Sequence, residues 1–307
     1  MLDRAVIKEI EMNIVGDVLP SEPMSGHTTY RTGGPAELLV TTKNGVDTRW
    51  VYQYALENDI PLTVIGAGSN LIAPDEGIKG IVIKTRCDSA RIEFREDGKV
   101  LADAGIYLDL LIREAAARDL GGFEHITGIP GTVGGAVMMN AGTNDGEVSD
   151  IIDSVEAVTP DGELFTLSAS DMGFGYRTSV FQENDWLIIN AVFKCTEVDG
   201  KATLMNIDSI WKERGRLYPM QFPNAGSVFR NPEGNHAGYL IEQAGLKGTR
   251  VGGAEVSEKH GNFIINTGSA TSDDIIGLIE LVRDKIQEKY GITLALEQKI
   301  LPSRPGQ

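Results

Sequence analysis

Cysteine is nearly missing from this chain, which contains only Cys87 and Cys195 among its 307 residues. Two cysteines are too few for a disulfide-stabilised scaffold or for a zinc site with four cysteine ligands, so we expect a reducing compartment. The N-terminal segment MLDRAVIKEIEMNIVG has no apolar run long enough for a signal peptide or a membrane span. These absences together predict a cytoplasmic protein.

Basic charge is also scarce. The chain has 28 Lys and Arg against 44 Asp and Glu, which gives a formal net charge of −16. Because nucleic-acid binding needs a basic face, this balance argues against a nucleic-acid partner. It does not exclude an anionic small molecule, since a local cluster of Arg and Lys can bind phosphate on an acidic protein.

Histidine motifs for metal binding or catalysis are absent from the sequence. The four histidines (His27, His125, His236 and His260) are scattered and show no HxxxH or HExxH spacing. We therefore expect no metal site.

One segment has an unusual amount of glycine among apolar residues. Residues 128–142 read GIPGTVGGAVMMNAG, with five glycines, one proline and no charge. Glycine costs roughly 0.5–1 kcal/mol relative to alanine inside a helix or strand. The composition therefore argues against a regular element and favours a backbone that approaches another backbone or a ligand closely.

Two further glycine-rich segments lie in the first half of the chain, VIGAGSN (64–70) and TTYRTGGPAE (28–37). Neither is a GxGxxG motif that opens a helix, which argues against a Rossmann dinucleotide site. Two interpretations remain open: the loops are tight turns packed on each other, or their backbone N–H groups bind a diphosphate. Three such loops in one domain favour a large cofactor.

Hydrophobic periodicity predicts an alternation of helices and strands. Predicted helices cover 3–15, 45–59, 107–120, a polar segment around Trp211, and 271–291 with Ser272 as its N-cap. Predicted strands cover 37–42, 62–70, 80–84, 91–94, 99–105, 153–159, 163–167, 186–197 and 262–266, while 20–36 is interpreted as turns. At residues 198–202 the sequence changes from a long predicted strand to a polar predicted helix. This change predicts two domains, 1–200 and 201–307.

Three polar residues lie in contexts that suggest chemistry. Arg177 lies between aromatic and β-branched neighbours in GYRTSVF, and its alternative is an exposed loop arginine. Ser227 occupies a turn in FPNAGSVFRNPEG, where the ordinary interpretation is a turn residue and no GxSxG elbow is present. Glu297 interrupts the apolar run LALEQKI, where it is either paired inside or on the outward face of a strand.

The ordered set of GAGSN, GIPGTVGGAVMMNAG, GYRTSVF, NAGSVFRNPEG, AGYLIEQAGLKG, KHGNFIIN and LALEQK resembles the UDP-N-acetylenolpyruvoylglucosamine reductase family over about residues 20–300. The resemblance implies an α+β protein. Its FAD-binding fold is of the vanillyl-alcohol oxidase type, with two α/β subdomains, and a smaller α/β substrate domain follows. The chain looks like the short variant, because GYRTSVF runs directly into the strand at 186 without a long tyrosine loop.

The resemblance also implies roles for individual residues, with FAD bound non-covalently and NADPH as hydride donor. Arg177, Ser227 and Glu297 carry over as catalytic residues. FAD contacts are implied for Tyr30, Arg31, Gly66, Ala67, Gly68, Ser69, Asn70, Leu71, Gly128, Ile129, Pro130, Gly131, Gly134, Gly135, Ala136, Asn140, Ala141 and Gly142. Substrate contacts are expected for Tyr176, Arg214, Arg216, Asn231 and Lys259.

The implied reaction reduces the enolpyruvyl group of a nucleotide sugar on the route to peptidoglycan, and a monomer is favoured. Ser227 would protonate the enolate, and Arg177 with Glu297 would stabilise it. One of Arg214, Arg216 and Lys259 would contact the UDP diphosphate together with Asn231. Two alternatives stay open: an oxidase of the same flavin fold, and a nucleotide-sugar binding protein without catalysis.

Overall fold

The computed structural model describes residues 2–85, 91–143 and 145–302, so that Cys87 lies outside the described residues. The helices are α1 Arg4–Asn13, α2 Gly45–Glu57, α3 Leu108–Ala116, α4 Val133–Met138, α5 Gly200–Leu217, α6 Ala237–Gln243 and α7 Ser272–Tyr290. The strands are β1 Asp17–Pro23, β2 Pro35–Thr42, β3 Leu62–Ile65, β4 Leu71–Ile72, β5 Ile78–Thr85, β6 Ile92–Phe94, β7 Lys99–Asp103, β8 Leu120–Gly121, β9 Gly142–Thr143, β10 Gly146–Glu147, β11 Ile152–Val158, β12 Leu164–Ser168, β13 Leu187–Lys194, β14 Thr196–Glu197, β15 Arg250–Val251, β16 Ala254–Val256, β17 Ile264–Asn266 and β18 Lys299–Ile300.

The first unit is a four-stranded sheet in the order β1-β2-β5-β3. Strands β2, β5 and β3 are parallel, and β1 pairs antiparallel with β2 at the edge. Both faces of β2 are buried, because Leu38 packs towards α2 while Leu39 packs into a second cluster. This two-sided burial explains the unbroken apolar run LLV, as expected for parallel strands.

The turn interpretation of residues 20–36 was wrong at its start, where β1 forms. Pro20 and Pro23 lie in this strand. Because β1 is an edge strand, the N–H that a proline lacks can lie on its outer side, where no sheet hydrogen bond is lost. Prolines are therefore compatible with this strand.

The second unit is an antiparallel sheet in the order β12-β11-β13-β7-β6. The turn Pro160-Asp161-Gly162 joins β11 to β12 in a hairpin, in which the Gly162 N–H donates to the Thr159 carbonyl at 2.9 Å and Gly162 has φ +82°. Helix α5 packs on this unit, since Ile207 is buried in its core and Trp211 Nε1 donates to Asp109 Oδ1 at 2.6 Å. The second core therefore continues past the expected division at residue 200 and through α5.

The third unit combines α6, α7 and the small antiparallel sheet β15-β16-β17. The buried face of α7 includes Ile275, Ile279, Val282 and Ile286. The predicted N-cap, Ser272, lies one residue after the observed N-cap, Thr271. Thr271 caps the helix through a capping box with Asp274, because the Ser272 hydroxyl is buried and donates to the Ala73 carbonyl at 2.5 Å.

The first and third units are joined at the N-terminus of α7. The Asp75 carboxylate accepts hydrogen bonds from the backbone N–H groups of Ser272 at 3.0 Å and Asp273 at 2.9 Å. An acidic group at this position also interacts favourably with the helix dipole. The expected α+β arrangement of two α/β units and a smaller α/β unit is confirmed. In the ranges that the structure describes, no helix is both long and apolar enough to cross a membrane.

Candidate active site

A cavity of about 1590 Å³ opens where the three units meet. Its wall includes the loop after β3, the loop before α4, and the side chains of Arg177, Ser227 and Glu297. Ligand pockets commonly measure roughly 300–1,000 Å³, so this cavity has room for a large cofactor beside a second ligand. Candidates from separate parts of the sequence therefore share one site.

Most of the predicted site residues line this cavity. Its wall contains Arg31, Gly66, Ala67, Gly68, Ser69, Asn70, Leu71, Ile129, Pro130, Gly131, Gly134, Gly135, Ala136, Ala141, Gly142, Tyr176, Arg177, Arg214, Ser227, Asn231, Lys259 and Glu297. Four predicted residues lie outside the wall, namely Tyr30, Gly128, Asn140 and Arg216.

Each of these four has another structural position. Tyr30 is fully buried, and its hydroxyl donates to Gln298 Oε1 at 3.0 Å. Gly128 is covered by Arg214, whose Cδ would lie 2.4 Å from an added Cβ. Arg216 pairs with Glu213 on the exposed face of α5.

Asn140, the fourth residue, supports the site from behind. It is fully buried, its Nδ2 donates to the Gly175 carbonyl at 3.1 Å, and its Oδ1 accepts from the Ser149 N–H at 3.0 Å. Gly175 begins the turn that carries Arg177, so Asn140 fixes that turn instead of lining the cavity.

The glycine loops do pack on each other. Ser69 Oγ donates to the Pro130 carbonyl at 2.8 Å, and the Thr29 N–H donates to the Gly68 carbonyl at 3.1 Å. A Cβ on Gly66 would lie 2.3 Å from Thr132 Oγ1, a distance that real Cβ atoms do not reach. The packing interpretation is therefore right, and it does not compete with ligand binding because the packed loops also form the cavity wall.

The expectation of no regular element in residues 128–142 was wrong for α4. Thr132 caps this short helix by accepting from the Gly135 N–H at 3.4 Å, while the Gly134 N–H donates to the Ala104 carbonyl at 2.9 Å. Val133, Ala136 and Val137 are buried under the second sheet. This burial offsets the cost of the two helical glycines, which sequence propensity alone does not reveal.

The loop that follows β3 contains backbone N–H groups without a hydrogen-bond acceptor in the described residues. The backbone N–H groups of Ala67, Gly68, Ser69 and Asn70 find no acceptor in the described part of the chain. Successive N–H groups in a glycine turn form a concave site for anions such as a diphosphate. This loop therefore offers dipoles and no cationic side chain to an anionic cofactor.

Arg177 occupies an unusual backbone position. It lies in the turn between Gly175 and Thr178, which exchange backbone hydrogen bonds, and its φ is +57°. Glycine usually occupies this position because other residues are strained there. The carbonyl of Arg177 accepts from Gln182 Nε2 at 3.0 Å and from Arg230 Nη2 at 3.4 Å. Strain held by its surroundings at a cavity wall suggests a functional position.

The guanidinium of Arg177 is fixed by two acceptors. Its Nε lies 2.7 Å from Glu297 Oε1, and its Nη2 donates to the Gly142 carbonyl at 2.7 Å. It also lies over the ring of Tyr176, 5.2 Å from the centroid. Only 20% of the Arg177 side chain and 13% of the Glu297 side chain are exposed, so this ion pair is shielded from solvent.

Backbone pairing places Ser227 next to this ion pair. The Glu297 N–H donates to the Val228 carbonyl at 2.8 Å, and Phe229 forms an antiparallel bridge with Leu296. Asn70 Nδ2 donates to the Glu297 carbonyl at 3.2 Å, which joins the glycine loop to the same segment. Ser227, immediately before Val228, therefore lies in the cavity wall beside Glu297 and the glycine loop.

Burial and charge act in opposite directions on Glu297. Burial raises the pKa of the Glu297 carboxyl above its usual range, and the nearby Arg177 and Arg230 oppose that increase. Burial also lowers the pKa of Lys299, which lines the cavity, and Arg230 lowers it further. Two cationic side chains, Arg177 and Arg230, thus act on one carboxyl group in an otherwise acidic protein.

Arg214 and Lys259 form a second cationic group at the wall. Arg214 lies over the ring of Tyr218, 4.7 Å from the centroid, and its buried Nε has no hydrogen-bond partner in the described residues. Burial lowers the pKa of Arg214. Lys259 Nζ donates to the Gly215 carbonyl at 2.6 Å. Asn231 lies nearby in the same wall, where its N–H contacts the Tyr176 hydroxyl at 3.4 Å.

Sequence reasoning missed Arg230 and Lys299. Both were detectable in principle, because Lys299 follows Glu297 by two residues and Arg230 follows Val228 by two. In extended backbone, residues two apart lie on one face. That spacing becomes informative only once the two segments are known to pair.

Comparison with known proteins gives a consistent result. A family described as "UDP-N-acetylenolpyruvoylglucosamine reductase, C-terminal domain" matches residues 218–301, and one described as "FAD binding domain" matches residues 36–168. A UDP-N-acetylenolpyruvoylglucosamine reductase of Clostridium tetani is 40% identical over 285 residues, covering 93% of this chain and 92% of the relative.

Solved structures show the same likeness. The chain resembles the UDP-N-acetylenolpyruvylglucosamine reductase of Thermus caldophilus with a TM-score of 0.78 and 33% identity, covering 94% of this chain and 99% of that one. An alkyldihydroxyacetonephosphate synthase matches with a TM-score of 0.50 and 16% identity, covering 64% of this chain and 41% of that one. The second likeness is one of fold alone.

Proposed function

Because the chain belongs to the UDP-N-acetylenolpyruvoylglucosamine reductase family, we propose that Ser227, Arg177 and Glu297 carry out its reaction, with NADPH as the hydride donor. The chain is an FAD-dependent oxidoreductase with the vanillyl-alcohol oxidase type of FAD-binding fold. It reduces the enolpyruvyl group of UDP-N-acetylglucosamine enolpyruvate to give UDP-N-acetylmuramate for peptidoglycan synthesis. The observation that supports the proposed roles is the shared cavity wall of Ser227 and the Arg177–Glu297 pair.

The wall also fits FAD in shape and chemistry. Ala67, Gly68, Ser69 and Asn70 would donate backbone hydrogen bonds to the diphosphate. Gly135 is consistent with a flat cofactor lying close by, since an added Cβ would meet protein only at 3.5 Å, at Thr132 Oγ1. Protein packing therefore does not require glycine at this exposed position. We propose that FAD is held here without a covalent bond.

When bound, FAD supplies hydride transfer from NADPH to the methylene carbon of the enolpyruvyl group. Addition of hydride leaves negative charge on the neighbouring carbon and its carboxylate, and this enolate must be stabilised and protonated. The Arg177 guanidinium, fixed by Glu297 and the Gly142 carbonyl, presents permanent positive charge to it. The Ser227 hydroxyl donates the proton to the carbon.

The nucleotide part of the substrate would occupy the wall formed by the third unit and α5. Arg214 is the best diphosphate ligand of the three cations suggested by the sequence, because its half-buried side chain lines the cavity and has no ion-pair partner among the described residues. Lys259, Asn231 and Tyr176 line the same wall. Arg216 is the weaker candidate, because it lies outside this wall and pairs with Glu213. We further propose a cytoplasmic monomer with a division between units near Leu217, where the second core ends.

One experiment tests this function in full. The purified protein would be denatured in acid to release flavin, and a second sample would be reduced with NADPH without oxygen and mixed with enolpyruvyl-UDP-N-acetylglucosamine. We expect released flavin, bleaching by NADPH, and recovery of flavin absorbance together with formation of UDP-N-acetylmuramate. Recovery only with oxygen would indicate an oxidase, and a protein that stays colourless after addition of FAD would indicate a binding protein.

A further inference from the structure

Arg230 lies directly behind the Arg177–Glu297 pair without lining the cavity. The Arg230 N–H donates to the Ala295 carbonyl at 2.9 Å, and the Glu297 N–H donates to the Val228 carbonyl at 2.8 Å. In this antiparallel pairing, Arg230 and Glu297 are diagonal neighbours on one face. The sequence separation of 67 residues between them is therefore bridged by backbone hydrogen bonds.

The charge of Arg230 has no carboxylate of its own. Within the described residues no acidic oxygen lies in ion-pair distance of its guanidinium, and its buried Nε has no hydrogen-bond partner. Its Nη2 instead contacts the carbonyl of Arg177 at 3.4 Å. Even partial burial of a cation without an ion-pair partner costs free energy, so a compensating role of Arg230 is expected at this position.

Both effects of Arg230 act on the same pair. Its contact with the Arg177 carbonyl supports a backbone with φ +57°, a conformation that non-glycine residues rarely adopt. Its positive charge opposes the effect of burial on Glu297, which lowers the pKa of that carboxyl relative to a site without Arg230. A single half-buried cation thus influences the geometry of Arg177 and the proton affinity of Glu297.

We propose that Arg230 is a positioning residue for the reaction, which holds the Arg177 turn in place and favours the carboxylate form of Glu297. The proposal rests on the function given above, since it assigns Arg230 to the residues of that reaction. It concerns the side chains of this chain, and it can be tested without turnover.

The direct test is a carbon-13 NMR titration of the FAD-bound protein labelled at the glutamate carboxyl carbon. The Glu297 signal is identified by its loss in Glu297→Gln. In Arg230→Met and Arg230→Gln we expect the pKa of Glu297 to rise by about one unit or more, the scale for removal of a neighbouring opposite charge. In Arg230→Lys the increase should be less than half as large, because the charge is kept.

Arg250→Met serves as the matched control. It removes a cation from the third unit that is paired with Glu255, and it should leave the pKa of Glu297 unchanged. A second readout follows the rate of flavin reoxidation by substrate against pH, whose inflection should shift by the same amount in Arg230→Met, while reduction by NADPH should keep its rate.

An unchanged Glu297 titration in both neutral variants would overturn the proposal. If Arg230→Met does not fold, the comparison of Arg230→Gln with Arg230→Lys still separates charge from packing. A protein that shows the expected NMR shift but does not reduce the enolpyruvyl substrate would contradict the proposed function and leave the positioning of Glu297 established.

Discussion

The cavity wall carries two kinds of group that suit anions. In the loop after β3, the available groups are the backbone N–H donors of Ala67–Asn70, for which the described residues offer no acceptor. Next to this loop, the charged side chains of Arg177 and Arg230 act on the carboxyl group of Glu297. The two regions adjoin, since Asn70 Nδ2 donates to the Glu297 carbonyl at 3.2 Å.

This difference separates binding from chemistry. Backbone dipoles can hold a diphosphate permanently without a localised positive charge that would disturb the reaction elsewhere in the cavity. Charged side chains are concentrated where negative charge develops, and burial strengthens their effect because the local dielectric is low. Changes to the charged side chains should therefore affect the reaction, and changes to the backbone of the glycine-rich segments should affect retention of the cofactor.

The largest effect is expected at Ser227. Ser227→Ala should slow flavin reoxidation by the enolpyruvyl substrate by ~10²-fold or more, about 2.7 kcal/mol in barrier, because the enolate loses its proton donor. Reduction by NADPH should remain normal, since it needs no proton at the substrate carbon. Stopped-flow absorbance measures the two halves separately.

Ser227→Cys is the matched variant for this experiment. A thiol also carries a proton, so Cys should keep part of the activity that Ala loses. If Ser227 only fills a turn, Ala should cost about 1 kcal/mol of stability or less and both half-reactions should stay near normal. Normal reoxidation in Ser227→Ala would remove Ser227 from the mechanism.

Arg214 should have a smaller effect, on substrate binding. Arg214→Gln should raise the KM for the nucleotide sugar about 10- to 100-fold, because a charge-assisted hydrogen bond is worth about 1.5–3 kcal/mol. The rate of flavin reduction by NADPH should change little. Steady-state kinetics over a range of nucleotide-sugar concentrations gives both numbers.

Arg216→Gln on the same helix is the control for charge alone. Arg216 carries the same charge two residues away but is exposed and paired with Glu213 outside the cavity. Its KM should stay within about twofold of wild type, as expected for an exposed ion pair of small energy. Equal increases in the two variants would indicate long-range steering instead of contact.

The sequence predicts the order of elements better than their assembly. Patterns of period 2 and 3.6 locate the helices α2, α5 and α7 and the strands of both large sheets other than β1, because these patterns arise from local burial. They did not reveal α4, whose helix depends on burial of Val133 and Val137 under a distant sheet. The edge strand β1 was missed because its prolines mimic a turn.

The candidate site shows the same limit at the level of side chains. Arg177, Ser227 and Glu297 were recognisable through motifs, whereas Arg230 required knowledge that residues 228–230 pair with 295–297. Tyr30 and Asn140 were placed in the site because they lie within the glycine-rich segments, and Arg216 was placed there because its charge suits a diphosphate. Side-chain direction, which the sequence does not give, excludes them from the cavity wall.

The proposed contact of FAD with the cavity wall can be tested at Gly134 and Gly135, two neighbouring glycines of α4. Gly135→Ala adds a methyl group to the exposed cavity wall, where protein packing leaves room for it. We expect FAD to dissociate about tenfold faster, since a methyl group that intrudes on a packed contact costs about 1–3 kcal/mol. Recovery of free-flavin fluorescence after dilution of the holoprotein measures this rate.

Gly134→Ala should instead act on the protein itself. An added Cβ at Gly134 would lie 2.9 Å from Ala104 Cβ, so the helix or the neighbouring loop must shift. This variant should lower the unfolding temperature, whereas Gly135→Ala should leave it unchanged or slightly higher because alanine favours the helix. Equal FAD release from both variants would contradict the distinction between the two glycines.

The smallest expected effect is on the pH dependence of stability, and it arises from Glu297. Burial raises the folded-state pKa of Glu297 above its ordinary value of 4.5, so the folded protein binds this proton more tightly than the unfolded chain. That contribution to stability is present below the unfolded pKa and is lost as pH rises through the folded pKa. Glu297→Gln keeps the neutral shape at every pH, and its unfolding temperature should therefore rise relative to wild type as pH increases across this window. Glu213→Gln should change in the opposite direction, because Arg216 lowers the pKa of Glu213 and the wild-type carboxylate stabilises the folded state only above its unfolded pKa. Thermal unfolding of the three holoproteins across this pH range measures both trends, and parallel curves for Glu297→Gln and wild type would show that burial does not govern the proton affinity of Glu297.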